Sequence, residues 1–459
     1  MNRVLLVVAN REDFPEPAFP AGALYVAGAM EAAGGEARVF DAGAYRRPLP
    51  ALRVALAGFR PTVVGLSLRN ADNCAWPHTR TYAGWYRRMA AAVREASPQA
   101  RLVLGGPAFS IFPREMRRAL LVEDGIAGDG EVAAALLVEG RLPGGIVEMP
   151  LHDLSGVGLP RRLAAAFPEL RRFRTAGLQS ARGCPHHCVY CTYPRLEGAT
   201  LRRRPPEAVV DEMERLRREV GATEQFVLDS SFNAGEAHMV EVCEEVRRRR
   251  RRPGAPLADV SFSCYLQPRV SDPAVFRLLA EAGCTSVDFG IDSAAEELLP
   301  GLGKSFTVAD LRTSTAAALA AGIDVCHSLV FGGPGETPET VAETVRVTDE
   351  LAPTAVVAMV GLRIYPGTRL AELAGDAGLA DPRRLLLEPR FYAAGRLADD
   401  PAVAWLSRRV REAAATRRTW FLPGARDWSA AWGPRLLRRL GKPGPLWRNF
   451  PRPRWYRYI

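Results

Sequence analysis

Between Arg3 and about residue 150, short apolar runs alternate with stretches in which apolar residues recur at helical spacing. Val4–Val8, Ala37–Phe40, Val63–Leu68, Leu102–Leu104 and Gly125–Ala127 have strand length, while Gly22–Ala33, Tyr82–Ala96 and Pro113–Leu121 have helical period. Strands buried on both faces lose the polar alternation of an exposed sheet, so this rhythm predicts a parallel α/β layer. It resumes at Thr175 with Gly177–Ala181, Gln225–Asp229, Val260–Cys264, Ser286–Gly290, Asp324–Phe331 and Val356–Ile364. Six such strands with intervening helices predict most of a β/α barrel. Beyond about Leu387 the rhythm stops. A helix is expected over Pro401–Thr419, after which Trp420, Trp428, Trp432, Trp447 and Trp455 are scattered among prolines and basic residues. The predicted class is α/β, in four parts. A doubly wound, Rossmann-like domain covers 1–150, a linker 151–174, a partial (β/α)6 barrel 175–386, and a basic, Trp-rich helical or irregular cap 387–459.

Composition changes little of this. The chain has 459 residues, 47% hydrophobic and 24% charged, as in an ordinary globular protein of two or three domains. No apolar run approaches the roughly 18–20 residues that span a bilayer. Met1 leads into a short strand instead of a secretory signal, and the eight cysteines lack paired spacing, so a reducing cytoplasmic location is expected. The net charge of +10 suggests nucleic acid until it is located. Pro434–Ile459 holds eight Lys or Arg and no acid, and the run Arg247–Arg252 follows Glu241, Glu244 and Glu245 as a solvated helix end. Nucleic acid is therefore not the expected partner. The tail suits a cap over the barrel mouth, an anionic-substrate contact or peripheral membrane contact.

Chemistry concentrates in "RGCPHHCVYCTYP", Arg182–Pro194, where Cys184, Cys188 and Cys191 stand as CxxxCxxC. Three thiolates can grip one compact inorganic centre but leave a position open. A closed zinc site would need a fourth ligand, for which His186 or His187 is available. The other cysteines (Cys74, Cys243, Cys264, Cys284 and Cys326) suit small buried hydrophobes. Cys264, Tyr265, Cys326 and His327 fall near the predicted mouth, where a role in proton or hydrogen transfer is open.

With Tyr190 before the last cysteine, the loop resembles the signature of the radical S-adenosylmethionine (SAM) superfamily. Four later strand ends resemble that family in order: Leu228–Asn233, Phe289–Ser293, Phe331–Thr337 and Arg363–Thr368. The resemblance implies a [4Fe–4S] cluster on Cys184, Cys188 and Cys191, the same three being the catalytic set. It implies a SAM site drawn from Tyr190, Asp229, Ser230, Asp292, Ser293, Gly333, Glu336 and Ile364, although the Gly-Gly-Glu frequent after the second strand is missing. It also implies an electron donor such as flavodoxin or ferredoxin.

The first domain resembles the cobalamin (B12)-binding domain that precedes many radical SAM domains, on Phe19–Gly22 and "LVLGGPAFS". Ligands in such sheets sit beyond the carboxyl ends of the strands. The resemblance thus points to Ser67, Arg69, Asn70, Gly105, Gly106, Gly128 and Glu131 as cobalamin contacts. The family's Asp-x-His-x-x-Gly is absent, since Ala9–Phe14 holds no histidine. The combined resemblance implies a cobalamin-dependent radical SAM C-methyltransferase acting on an unactivated carbon of a small-molecule, natural-product or lipid intermediate. The alternative is a cyclase, ring-contraction or oxidative rearrangement enzyme without net methyl transfer.

Overall fold

A computed structural model describes residues 2–12, 16–381, 387–417, 419–422 and 444–449. Two parallel sheets dominate it. The first has β1 (Arg3–Val8), β2 (Glu36–Asp41), β3 (Val63–Ser67), β4 (Arg101–Gly105), β5 (Asp124–Ala127) and β6 (Ile146–Glu148), in the order β2-β1-β3-β4-β5-β6. The order in which strands are added across the sheet reverses at β1, which makes it doubly wound, with helices on both faces. The expected strands and helices of this region are present. β6 and the helices Pro48–Phe59, Pro107–Ile111 and Ala134–Val138 are additional. β6 is half-exposed and only three residues long, and this is too short to carry a pattern.

The second sheet has β7 (Thr175–Leu178), β8 (Glu224–Val227), β9 (Ser261–Leu266), β10 (Cys284–Asp292), β11 (Asp324–Phe331), β12 (Ala355–Val360) and β13 (Trp420–Phe421). They pair in parallel as β13-β12-β11-β10-β9-β8-β7, an open barrel wall. Residues alternate across this wall. Phe289 stacks edge-on against Phe276 of the helix Val275–Ala282, and His327 bonds Thr315 of the helix Val308–Ala320 at 3.0 Å. Those positions face the helical layer, so Asp288 and Ser328 face the lumen.

Beyond residue 386, the described residues fall in three places. Phe391–Ala393 and Arg396–Leu397 form a small antiparallel sheet with Leu362–Arg363 at the mouth rim. Trp420 is buried at 1% in the barrel core, where it stacks on Phe331. Its strand extends the barrel past residue 386, and the helix Ala404–Thr416 is its crossover. Residues 444–449 lie at the opposite end of the barrel. Arg448 there pairs with Asp324 at the start of β11 (2.6 Å) and bonds Thr285 at the start of β10. Trp428, Trp432 and Trp455 lie outside the described residues. Among the described residues no helix is long and apolar enough to cross a membrane.

Candidate active site

The cysteine loop follows β7 and is clamped by backbone contacts on both flanks. Cys184 N–H donates to Gly198 O (3.0 Å), Val189 N–H to Leu302 O (3.1 Å), and Leu370 N–H to Val189 O (2.8 Å). Gly183 has φ +103°, and a Cβ there would lie 2.2 Å from Thr200 O. Gly303 presses on the other side, where a Cβ would lie 2.1 Å from His187 O. Both positions require glycine for close approach. Cys184 is buried and Cys188 and Cys191 half-buried. Burial pushes the Cys188 thiol up and the Cys191 thiol to about 12, so iron must displace their protons on binding.

A buried cation faces this loop. Lys304 is 2% exposed in its side chain; its Nζ donates to Asp292 Oδ2 (2.6 Å) and Gly290 O (2.8 Å) and faces the Cys188 thiol. Burial opposes its charge, but Asp292 and Cys188 more than offset that and hold its pKa above the ordinary lysine value. Tyr190 OH donates to the same Asp292 Oδ2 at 2.6 Å.

The remaining predicted SAM positions are largely committed to holding loops. Asp229 accepts from Ser180 N–H (2.8 Å) and Ser180 Oγ–H. Burial pushes its carboxyl up to about 7 against those bonds. Ser230 Oγ–H donates to Gly183 O (3.1 Å), which ties β8 to the cysteine loop. Ser293 bonds Thr344 (2.9 Å) and caps Ala295 N–H. Glu336 accepts from Gly332 N–H (3.0 Å) and Thr340 Oγ–H (2.7 Å), bracing the turn that carries Gly333. Ile364 is buried, its N–H bonded to Arg390 O.

On the first sheet, Ser67 and Gly105 end neighbouring strands, and a Cβ on Gly105 would meet nothing nearer than 3.8 Å. Gly106 (φ +89°) and Gly128 (φ +93°) are glycine for a different reason. A Cβ at either would strike backbone, Leu68 O at 2.8 Å and Met149 O at 2.6 Å. Asn70 O accepts from Tyr86 OH (2.8 Å). Arg69 is exposed and, among the described residues, makes no ion pair; it faces Tyr193 and Tyr265 across the gap between the sheets.

Glu131 is not open to a ligand through its carboxylate. It pairs with Arg182 Nη2 at 2.6 Å, and Asp129 takes Arg182 Nη1 (3.3 Å), Arg202 Nη1 (2.6 Å) and His152 Nδ1 (2.9 Å). A second buried pair, Arg363 with Asp72 (3.0 Å), and the contact of Cys74 Sγ with Tyr365 OH (3.0 Å) join the sheets on the other flank. The strand ends of both sheets therefore open onto one shared space.

Among the described residues no three His, Cys, Asp or Glu side chains converge tightly enough for a single metal ion. A cuboidal cluster asks for less convergence, because each thiolate binds its own iron. The three thiols are electrostatic neighbours of one another, and the buried ammonium suits an anionic centre. The donor set therefore fits a [4Fe–4S] cluster. The open Gly105 lip and unpaired Arg69 fit a large ligand with polar side groups.

The radical SAM superfamily model matches residues 178–348, and the B12-binding domain model matches residues 8–138. The chain is a radical SAM protein with a B12-binding domain. This radical SAM protein is 28% identical over 422 residues to tryptophan 2-C-methyltransferase of Streptomyces laurentii, covering 75% of this chain and 70% of that one. Its structure matches the radical SAM methyltransferase TsrM from Kitasatospora setae bound to tryptophan and a SAM analogue. The TM-score is 0.83 at 26% identity, over 100% of this chain and 98% of that one. The same enzyme with cobalamin and a [4Fe–4S] cluster matches at TM-score 0.82 and 26% identity, over 98% of each chain.

Sequence reasoning missed Lys304, Arg182, Arg202 and Asp129 in this radical SAM protein. For Lys304 a signal existed. It is one of two lysines among 61 basic residues. A compact ammonium fits between three acceptors where a planar guanidinium does not. The arginines gave no signal in a chain so rich in that residue.

Proposed function

We propose that this protein methylates a carbon of an aromatic small molecule bearing nitrogen, with an indole as the reference substrate. The enzyme class is cobalamin-dependent radical SAM methyltransferase, and its cofactors are a [4Fe–4S] cluster, SAM and cobalamin. One observation carries the reading: similarity to a tryptophan-bound methyltransferase runs over the whole chain, through both domains and both mouths. Rearrangement without methyl transfer has no comparable support.

Cobalamin, when bound, supplies a methyl group that can be passed to a carbon lacking a lone pair. The chain's own residues do the rest. Cys184, Cys188 and Cys191 are the cluster ligands in this proposal, and the Gly183 and Gly303 contacts fix their spacing. Lys304 balances negative charge beside Cys188, and Asp292 holds Lys304 and Tyr190 in place. The side chains assigned to SAM from sequence act chiefly as braces of its loops, leaving direct contact to backbone and to Tyr190. Ser67, Arg69, Asn70 and Gly105 border the corrinoid. Electrons come from a small reductant such as flavodoxin or ferredoxin.

Anaerobic turnover with methyl-labelled SAM and L-tryptophan tests the reading. The expected result is label in the product with release of S-adenosylhomocysteine. Formation of 5′-deoxyadenosine with no label transferred to any carbon acceptor would overturn it.

A further inference from the structure

One acid on the lumen wall has no function in anything described so far. Asp288 lies in a single register row with Tyr265 of β9 and Cys326 of β11, so the three side chains share the lumen face. Its Oδ1 accepts from Ser328 Oγ–H at 2.7 Å. Among the described residues it forms no ion pair. Asp288 is half-buried on this wall, and the one hydroxyl that answers Oδ1 leaves Oδ2 open toward the lumen. Lys304 and Arg182, the buried cations nearest the cluster loop, are committed elsewhere. His327 is neutral and turned to the helical layer. Arg69 reaches Tyr265 and Tyr193 but is not among the charges that Asp288 feels.

The surroundings describe what would answer it. Tyr265 keeps 43% of its surface accessible and packs edge-on against Phe226 at 5.0 Å. Tyr193, two residues beyond Cys191, is 41% exposed. Two large aromatic rings left this open mark surface that a ligand can cover. Tyr193 is a neighbour of Cys184 and Cys191, and Tyr265 is a neighbour of Tyr193 and Asp288. Aromatic surface therefore runs from the cluster loop down to the unanswered carboxylate.

We propose that Asp288, braced by Ser328, is a specificity-determining residue that receives a hydrogen-bond-donating nitrogen of the substrate, whose aromatic part lies along Tyr265 toward Tyr193. Burial pushes the Asp288 carboxyl up to about 6, so it is an anionic acceptor at neutral pH. This inference rests on the reading of the substrate as a nitrogen-bearing aromatic molecule. Two nitrogens could answer the acid, a ring N–H or an ammonium group, and two analogues separate them.

The test compares binding of three probes to holoenzyme by equilibrium dialysis: L-tryptophan, its benzothiophene isostere lacking the ring N–H, and indole-3-propionate lacking the ammonium. Wild type is expected to prefer L-tryptophan over one analogue by at least about tenfold, the low end of a hydrogen bond to a charged group. Asp288→Asn should erase that one preference while iron content and cluster spectrum stay unchanged. The analogue no longer rejected identifies the nitrogen. If Asp288→Asn fails to fold, Ser328→Ala carries the comparison, since it keeps the carboxylate and removes only its brace. It should narrow the same preference. Retention of the full preference in the variant overturns the proposal and leaves the indole reading intact. Equal or absent binding of all three probes by wild type overturns it as well, while label transfer from SAM separately decides the methyltransferase reading.

Discussion

The two mouths that face each other in this molecule are equipped in opposite ways. At the barrel's strand ends, buried charged side chains have assigned partners: Lys304 with Asp292, Asp229 with Ser180, Glu336 with Thr340 and Gly332. At the first sheet's strand ends the wall is mostly backbone and glycine, with Arg69 exposed. The acids there, Asp129 and Glu131, are already neutralised by arginines from the barrel. A small anionic centre bonded through three residues calls for a dry, charge-balanced pocket, while a large macrocycle is held by the shape and hydrogen bonds of an open lip. The first mouth spends its charges on joining the domains.

The contrast can be broken most severely at the cysteines. Alanine at Cys184, Cys188 or Cys191 should remove the iron–sulfur absorption and abolish SAM cleavage, both measured on anaerobically reconstituted protein. Cleavage surviving in any of the three would remove that residue from the site. Next in size is Arg182→Met, which strands Glu131 in a buried place and leaves Asp129 to Arg202 and His152 alone. Losing one partner of such a network costs about 3–5 kcal/mol, read by denaturant unfolding. Adding Glu131→Gln to that variant should recover part of the loss, and no recovery would mean the two do not interact.

Lys304→Met tests whether charge balance is what the barrel mouth provides. Removing a cation beside Cys188 disfavours the more negative, reduced cluster. The midpoint potential should therefore fall by the equivalent of about 1.5 kcal/mol or more, as followed by EPR-monitored titration. An unchanged potential would leave Lys304 a purely structural brace. The smallest effect belongs to the second flank, where Tyr365→Phe deletes a neutral contact to Cys74. About 0.5–1.5 kcal/mol of stability should be lost, with no effect on cluster potential. A loss as large as that of Arg182→Met would erase the difference between the two flanks.

The architecture was legible because the β/α rhythm survives in both sheets: a strand such as Val4–Val8 is buried on both faces and announces itself as an apolar run. β13 escaped notice because two residues carry no period, and Trp420 stood among the tail's basic residues and prolines with no sign of the strand pairing that puts it in the core. The cysteine loop stood out by its spacing, which left zinc open, and the resemblance of Tyr190 and four later strand ends to the radical SAM family pointed to the cluster. The side chains around it were not. Strand-end motifs marked where Asp229 and Ser293 stand, yet their partners (Ser180 and Thr344) lie 49 and 51 positions away and are set by tertiary packing. Glu131 illustrates the same limit, because an acid at a ligand-facing strand end looks open until a barrel arginine is seen to occupy it.

The contacts that hold the cysteine loop are amide to carbonyl and glycine against backbone. The spacing of the three thiols is thus written in the main chain, and Gly183 and Gly303 belong to the site as fully as the cysteines do.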